Sequence, residues 1–187
     1  VMNLKEKKYN QYALVREMME TPGVMSKFDP ETAKRFSASV KKRNKLFLTG
    51  EGSSRIFPAK RAIYASLKRD FIPSVLTEAS TQAGEYNLKD YVVFAASNSG
   101  QTKEVIRLAS ALKKAKHGAV YGLTANKNTK LSELADDTQV LICGKEDAVA
   151  ATKSVVEQGL FYDSLLHLVW GEKMTGLKEA AAMTEKA

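Results

Sequence analysis

At 187 residues, 44% hydrophobic and 27% charged, the chain has the make-up of one globular domain, large enough to bury roughly two-thirds of its unfolded surface. The single cysteine, Cys143, excludes an internal disulfide, and with two histidines beside it no metal-ligand cluster can be assembled, so neither a metal nor a cofactor is expected. No apolar run is long enough to span a bilayer and Val1 to Tyr9 is too polar for a secretory signal, while the net charge of +8 is dispersed over Lys5, Lys7 and Lys8, Lys41, Lys42 and Arg43, and Lys113, Lys114 and Lys116; a cytoplasmic protein with neither a membrane nor a nucleic-acid partner is expected.

In chain order, residues 4–20 and 30–42 have helical spacing, the first ending near Thr21-Pro22-Gly23 and the second starting after Phe28-Asp29-Pro30. Lys45-Leu46-Phe47-Leu48-Thr49 reads as the first strand, followed by a Gly-rich turn and a helix from Arg55 to Arg69. Further strands are expected at Ile72 to Leu76, at 91–96, at Gly118 to Leu123 and at Thr138 to Cys143, and a long helix from Ala151 to Trp170 closes the core. Tyr91-Val92-Val93-Phe94-Ala95-Ala96 shows no polar alternation, the pattern of a parallel strand buried on both faces. Strands alternating with helices predict an α/β fold, a three-layer αβα sandwich with a five-stranded parallel sheet preceded by N-terminal helices. The expected divisions are an N-terminal helical segment over 1–44, the sheet domain over 45–170 and a helical tail or connector over 171–187.

Three loops then fall at the carboxyl ends of strands, where open parallel sheets bind ligands. They are Gly50-Glu51-Gly52-Ser53-Ser54, Ser97-Asn98-Ser99-Gly100-Gln101-Thr102, and the segment from Gly144 to Lys153. The second opens an amphipathic helix near Thr102, whose first amide hydrogens have no internal acceptors; those donors, the helix dipole and the hydroxyls of Ser97, Ser99 and Thr102 together favour an anion. An N-cap and turn with no ligand is the other reading of that segment. A dinucleotide fingerprint fits poorly, because Arg55 stands where the third glycine belongs. No Gly-Lys-Ser/Thr and no Gly-x-Ser-x-Gly occurs, which removes a P-loop and a serine-hydrolase elbow.

The Ser97 to Thr102 segment resembles the Ser-x-Ser-Gly-x-Thr phosphate loop of the sugar isomerase (SIS) domain family, and Gly52-Ser53-Ser54 resembles its first Gly-Thr-Ser turn. Glu146-Asp147-Ala148-Val149-Ala150-Ala151-Thr152-Lys153 is similar to a Glu-x-x-Val-Ala-Ser-Thr-Lys segment of the subgroup that contains the isomerase half of glucosamine-6-phosphate synthase and the fructosamine-6-phosphate deglycases. The resemblance covers residues 14–186 and implies a flavodoxin-like sheet order. It also implies that Ser97, Ser99 and Thr102 hold a phosphate with Asn98 beside them, that Ser54 touches phosphate or sugar, and that Val149 and Ala151 line the sugar. Gly52, Ser53, Gln101, Ala150 and Lys153 complete the expected substrate-binding set. Ala151 departs from the family's serine, which removes one hydroxyl contact.

Moving a proton between adjacent sugar carbons needs a base. Catalytic members commonly carry it on the helix after the first Gly-rich turn, but residues 55–69 contain neither an acid nor a histidine, and Lys60 and Tyr64 stand there instead. Glu157 is the best internal candidate, followed by Glu146; a solvated or capping helix carboxylate is the other reading of Glu157. In the tandem enzymes of the family the glutamate belongs to the second of two such domains. This chain resembles the first, and its tail resembles the connector. The expected function is therefore binding of a phosphorylated sugar or amino sugar, as an aldose-ketose isomerase or deglycase or the non-catalytic half of one; the alternative is a stand-alone phosphosugar-sensing module. Apolar positions at Leu14, Val15, Met18, Met19, Leu177, Ala181 and Met183 predict either a homodimer or higher homo-oligomer, as in the family, or packing within the chain.

Overall fold

The computed structural model describes residue 4 and residues 6–186; Lys5, the first three positions and Ala187 lie outside the described residues. Five parallel strands form one sheet: β1 Lys45–Gly50, β2 Ser74–Ala79, β3 Val92–Ala96, β4 Val120–Thr124 and β5 Asp137–Val140, in the order β2-β1-β3-β4-β5. Helices α1 Ala13–Lys27, α2 Lys34–Arg43, α3 Ser53–Leu67, α4 Ser80–Ala83, α5 Lys103–Lys114, α6 Lys130–Leu134, α7 Lys153–Trp170 and α8 Leu177–Lys186 make up the remainder, with short 3-10 turns at Lys7–Tyr9 and Pro30–Ala33.

Side-chain alternation along the strands divides the core in two. Leu46, Leu48, Val92, Phe94 and Ala96 point to the face covered by α2, α3 and α7, where they pack with Phe36, Ala59, Ala62, Phe161 and Leu165. Phe47, Val93 and Ala95 point to the other face, against Ala83, Leu88, Val105, Leu108, Ala109 and Leu131. The sheet is thus covered on both sides, which is why β3 lacks polar alternation: all five of its residues are buried. On the first face Phe36 meets Phe94, Tyr121 and Phe161 edge-on at centroid distances of 5.4, 4.9 and 5.7 Å.

Several boundaries differ from the sequence expectation: α3 runs from Ser53 to Leu67 rather than Arg55 to Arg69, β2 continues to Ala79 past Leu76, and β4 spans Val120–Thr124 rather than Gly118 to Leu123. The first helix does not stop at Thr21-Pro22-Gly23 but runs through them to Lys27, and residues 6–12 hold only the 3-10 turn. A proline inside a helix costs about 3 kcal/mol; here the packing of α1 against α7 and α8 offsets it. β2 begins at Ser74 rather than Ile72, immediately after Pro73, which has no amide to give a ladder. β5 ends at Val140 instead of Cys143, because the amides of Ile142 and Cys143 donate to the Glu157 carboxylate rather than to β4. α7 starts two residues later than Ala151, at Lys153.

Candidate phosphate-binding site

The strand order reverses between β1 and β3. From β1 the chain passes into α3 on one face, and from β3 into α5 on the other, leaving a crevice beyond the carboxyl ends of both strands. Gly50 lets the two strand ends close up, since a Cβ there would lie 2.7 Å from the carbonyl oxygen of Ala96. Neither helix that starts at this crevice has a side-chain cap: α3 follows Gly52 and α5 follows Thr102 with no capping hydrogen bond. Their first-turn amides therefore remain available to an anion.

The 97–102 loop is fastened from beneath. Ser97 is buried; its amide donates to Leu123 O at 2.9 Å, and its Oγ lies 2.7 Å from Thr102 Oγ1 and accepts from Thr102 N at 3.3 Å. The Asn98 carbonyl accepts from Ala125 N, Thr124 Oγ1 and Asn126 Nδ2 at 3.0, 3.1 and 2.9 Å. Gly100 adopts φ +66° against Thr129, and its carbonyl accepts from Leu131 N at 3.1 Å. These bonds tie the loop to β4 and α6, so the hydroxyl of exposed Ser99 is held in place without being consumed, its Oγ accepting only a 3.2 Å bond from Gln101 N.

The third loop is organised by carboxylates. Glu146 Oε1 accepts from Thr152 N, Thr152 Oγ1 and Ser154 N at 2.8, 2.9 and 3.2 Å, and its Oε2 accepts from Ser154 Oγ and, at 2.9 Å, from Asn98 Nδ2. It therefore caps α7 from outside the helix and joins that start to the 97–102 loop. Burial alone would push the Glu146 carboxyl up, but these hydrogen bonds outweigh it and hold the group below its ordinary value. Glu157, 1% exposed, accepts from Ile142 N and Cys143 N, both at 2.7 Å. Burial is the dominant influence there and pushes its carboxyl up. Lys153 pairs with Glu20 on α1 at 2.5 Å; burial works against its charge, and the Glu20 carboxylate more than compensates, holding the ammonium above its ordinary value.

A cavity of ≈ 500 Å³ opens at this rim, lined by Ser54, Asn98, Ser99, Thr102, Asn126, Lys145 and Glu146. Of the residues singled out from the sequence, Ser54, Asn98, Ser99, Thr102 and Glu146, the second candidate for the base, share this cavity. Ser97 lies under it as a support, bonded to Thr102, while Gly52, Ser53, Gln101, Ala150 and Ala151 are not among its lining residues. Val149 is fully exposed, and Lys153 is turned to Glu20. Glu157 does not line the cavity, and its two oxygens serve the exit of β5. Asn126 and Lys145 were not singled out. Asn126 follows the end of β4, so the rule that pointed to the ends of β1 and β3 also points to it.

A larger groove of ≈ 770 Å³ lies elsewhere, between α1, α8 and Ile142-Cys143. Its size alone does not make it the site, because it holds neither of the two helix starts at the switch point and none of the rim hydroxyls.

An open parallel sheet with hydroxyl-rich, uncapped helix starts at its switch point is an α/β arrangement whose rim can accept a small anion. The family profile of the SIS domain matches residues 39–168, and the chain belongs to that family. No curated protein gives a significant match. Among solved structures, the C-terminal domain of glucosamine-fructose-6-phosphate aminotransferase from Francisella tularensis superposes with a TM-score of 0.69 at 19% identity, covering 97% of this chain and 54% of that one. A putative sugar-phosphate isomerase from Listeria monocytogenes gives a TM-score of 0.69 at 17% identity, covering 97% and 99%. The Vibrio vulnificus NanR protein complexed with ManNAc-6P gives 0.62 at 17% identity, covering 91% and 64%. The chain thus spans about half the length of the first of these and nearly all of the second. These likenesses establish the fold, the three-layer αβα sandwich expected from the sequence.

Proposed function

We propose that the chain binds a monophosphorylated sugar or amino sugar in the switch-point cavity. The observation that carries this reading is the convergence of two uncapped helix starts and the hydroxyls of Ser54, Ser99 and Thr102 on one cavity. In this reading the phosphate sits at the start of α5 on Ser99, Thr102 and the first-turn amides, where the helix dipole and free donors favour negative charge. Ser54, Asn98 and Asn126 offer donors and acceptors to the sugar, and Lys145, paired with Asp147 at 2.8 Å, stands at the rim. The ligand named for the Vibrio structure, ManNAc-6P, supports the same class of ligand.

Isomerase or deglycase chemistry would need a base facing the sugar carbons. Glu146, the carboxylate in the cavity lining, is saturated by donors, and Glu157 is anchored away from it. The reading favoured here is binding and positioning of the phosphosugar, with any catalytic base supplied by a second chain or domain. The exposed apolar face of α3, with Ile56, Phe57, Tyr64 and Leu67, begins beside Ser54 and supports a homo-oligomer as the source of that second chain. At the termini, by contrast, α1 and α8 pack on each other and bury Ala181, although Leu14, Met18, Met19 and Met183 stay exposed. A cytoplasmic location belongs to the same proposal; no helix among the described residues is long and apolar enough to cross a membrane.

Calorimetric titration with fructose 6-phosphate and with fructose tests the phosphate assignment. Ser99→Ala and Thr102→Ala are each expected to weaken fructose 6-phosphate binding by about 10- to 100-fold, the range for a hydrogen bond to a charged group. Binding of fructose should change little. Equal weakening of both ligands would remove the phosphate from this loop.

A further inference from the structure

We propose that Glu17 and Glu20 on α1, outside the matched SIS domain, are positioning residues for the phosphosugar site, holding the 145–153 loop in its binding geometry. The inference rests on the reading of the cavity given above. Glu17 is 6% exposed although it is a carboxylate on a helix that precedes the sheet. Its Oε1 accepts from Asp147 N at 2.5 Å and from Ala148 N at 3.2 Å, so a side chain 130 residues away supplies the acceptors for two successive loop amides. One turn further on, Glu20 Oε2 takes the ammonium of Lys153 at 2.5 Å, and Lys153 is the first residue of α7.

The fastened segment is the one that delivers Lys145 and Glu146 to the cavity. Between the two clamps, Val149 and Ala150 are exposed and make no backbone hydrogen bond outside regular elements, so little besides Glu17, Glu20 and Glu146 fixes the path of this loop. The 97–102 loop is joined to that segment through the 2.9 Å bond from Asn98 Nδ2 to Glu146 Oε2, but its backbone is anchored on β4 and α6. Loosening α1 should therefore displace the sugar wall of the cavity and leave the phosphate wall in place. Because Glu20 also engages the lysine that opens α7, it keeps that cation turned toward α1 and away from the anion site.

Glu17→Gln and Glu20→Gln in the full chain separate the two walls. Each variant is expected to weaken fructose 6-phosphate binding by about tenfold, the loss for one charge-assisted hydrogen bond, while inorganic phosphate binds within about twofold of wild type. In Glu17→Gln the amides of Asp147 and Ala148 should exchange with solvent about tenfold faster, with those of 97–102 unchanged. Glu20 is half exposed and glutamine keeps an oxygen acceptor for Lys153, so this replacement is the milder of the two and gives a reading even where Glu17→Gln is unstable. Fructose 6-phosphate binding that persists unchanged in both variants, or falls in step with inorganic phosphate, overturns the inference alone. Failure of the wild-type protein to bind fructose 6-phosphate overturns the reading of the cavity, and the positioning role falls with it.

Discussion

Replacing Gly100 by alanine is expected to abolish phosphosugar binding and to destabilise the chain by about 2–5 kcal/mol, the sum of a left-handed backbone penalty and overpacking. Gly100 has φ +66°, and a Cβ there would lie 2.4 Å from both Cβ and Oγ1 of Thr129. Thr129 cannot step aside freely, because it is buried and its Oγ1 accepts from Ser132 N at 3.2 Å to cap α6. The loop must move instead, which breaks the 3.1 Å bond from Leu131 N to Gly100 O and shifts Ser99 and Thr102 off the start of α5. Urea unfolding gives the stability and calorimetry the affinity. Wild-type affinity in Gly100→Ala would mean that the ligand does not touch this loop.

The second large effect is expected at Glu146. Removing its carboxylate in Glu146→Ala orphans the amides of Thr152 and Ser154 and the Asn98 side chain together, at a cost of about 2–4 kcal/mol for charge-assisted bonds that do not add in full. The pH dependence has a definite sign. The folded protein holds this carboxyl below its ordinary value, so its contribution is fully present above the unfolded carboxylate pKa of about 4.3 and is lost as pH falls through the lower folded value. Glu157 works in the opposite sense: burial raises its folded pKa, so the stability tied to its protonated form is present below the unfolded value and is lost as pH rises through the folded one. Comparing wild type with Glu146→Gln across pH 3 to 7 by urea unfolding, a range of roughly four units about the ordinary carboxylate value, isolates the first contribution. The variant should lie below wild type at neutral pH and converge with it in acid; a constant gap would exclude the ionised carboxylate as the source.

How much of this was legible in the sequence depended on whether the signal was local. Phe94-Ala95-Ala96 breaking into Ser97-Asn98-Ser99-Gly100 is a strand end written in neighbouring residues, and the helix after Thr102 declares itself by its own apolar spacing. The bonds that give the site its shape are long-range and leave no local trace. Glu17 reaches Asp147, and Arg35 on α2 binds Asp137 at the start of β5, through side chains of the kind solvated helices carry everywhere. Pro22 looked like a helix end because local propensity says so; packing against α7 and α8 overrode it. Glu157 looked like an exposed or catalytic helix carboxylate for a similar reason. Its 1% exposure follows only from the way β5 ends beside it, where it supplies acceptors to two amides that leave the sheet.

A phosphosugar held at the switch point by the starts of α3 and α5 should show itself in an amide-resolved NMR titration of the wild-type protein with fructose 6-phosphate, with fructose as control. Saturable shifts at residues 53–54 and 98–104 with the phosphorylated sugar, absent with fructose at the same concentration, are the expected result. Shifts that map instead to the α1–α8 groove, or that fructose reproduces, would contradict it.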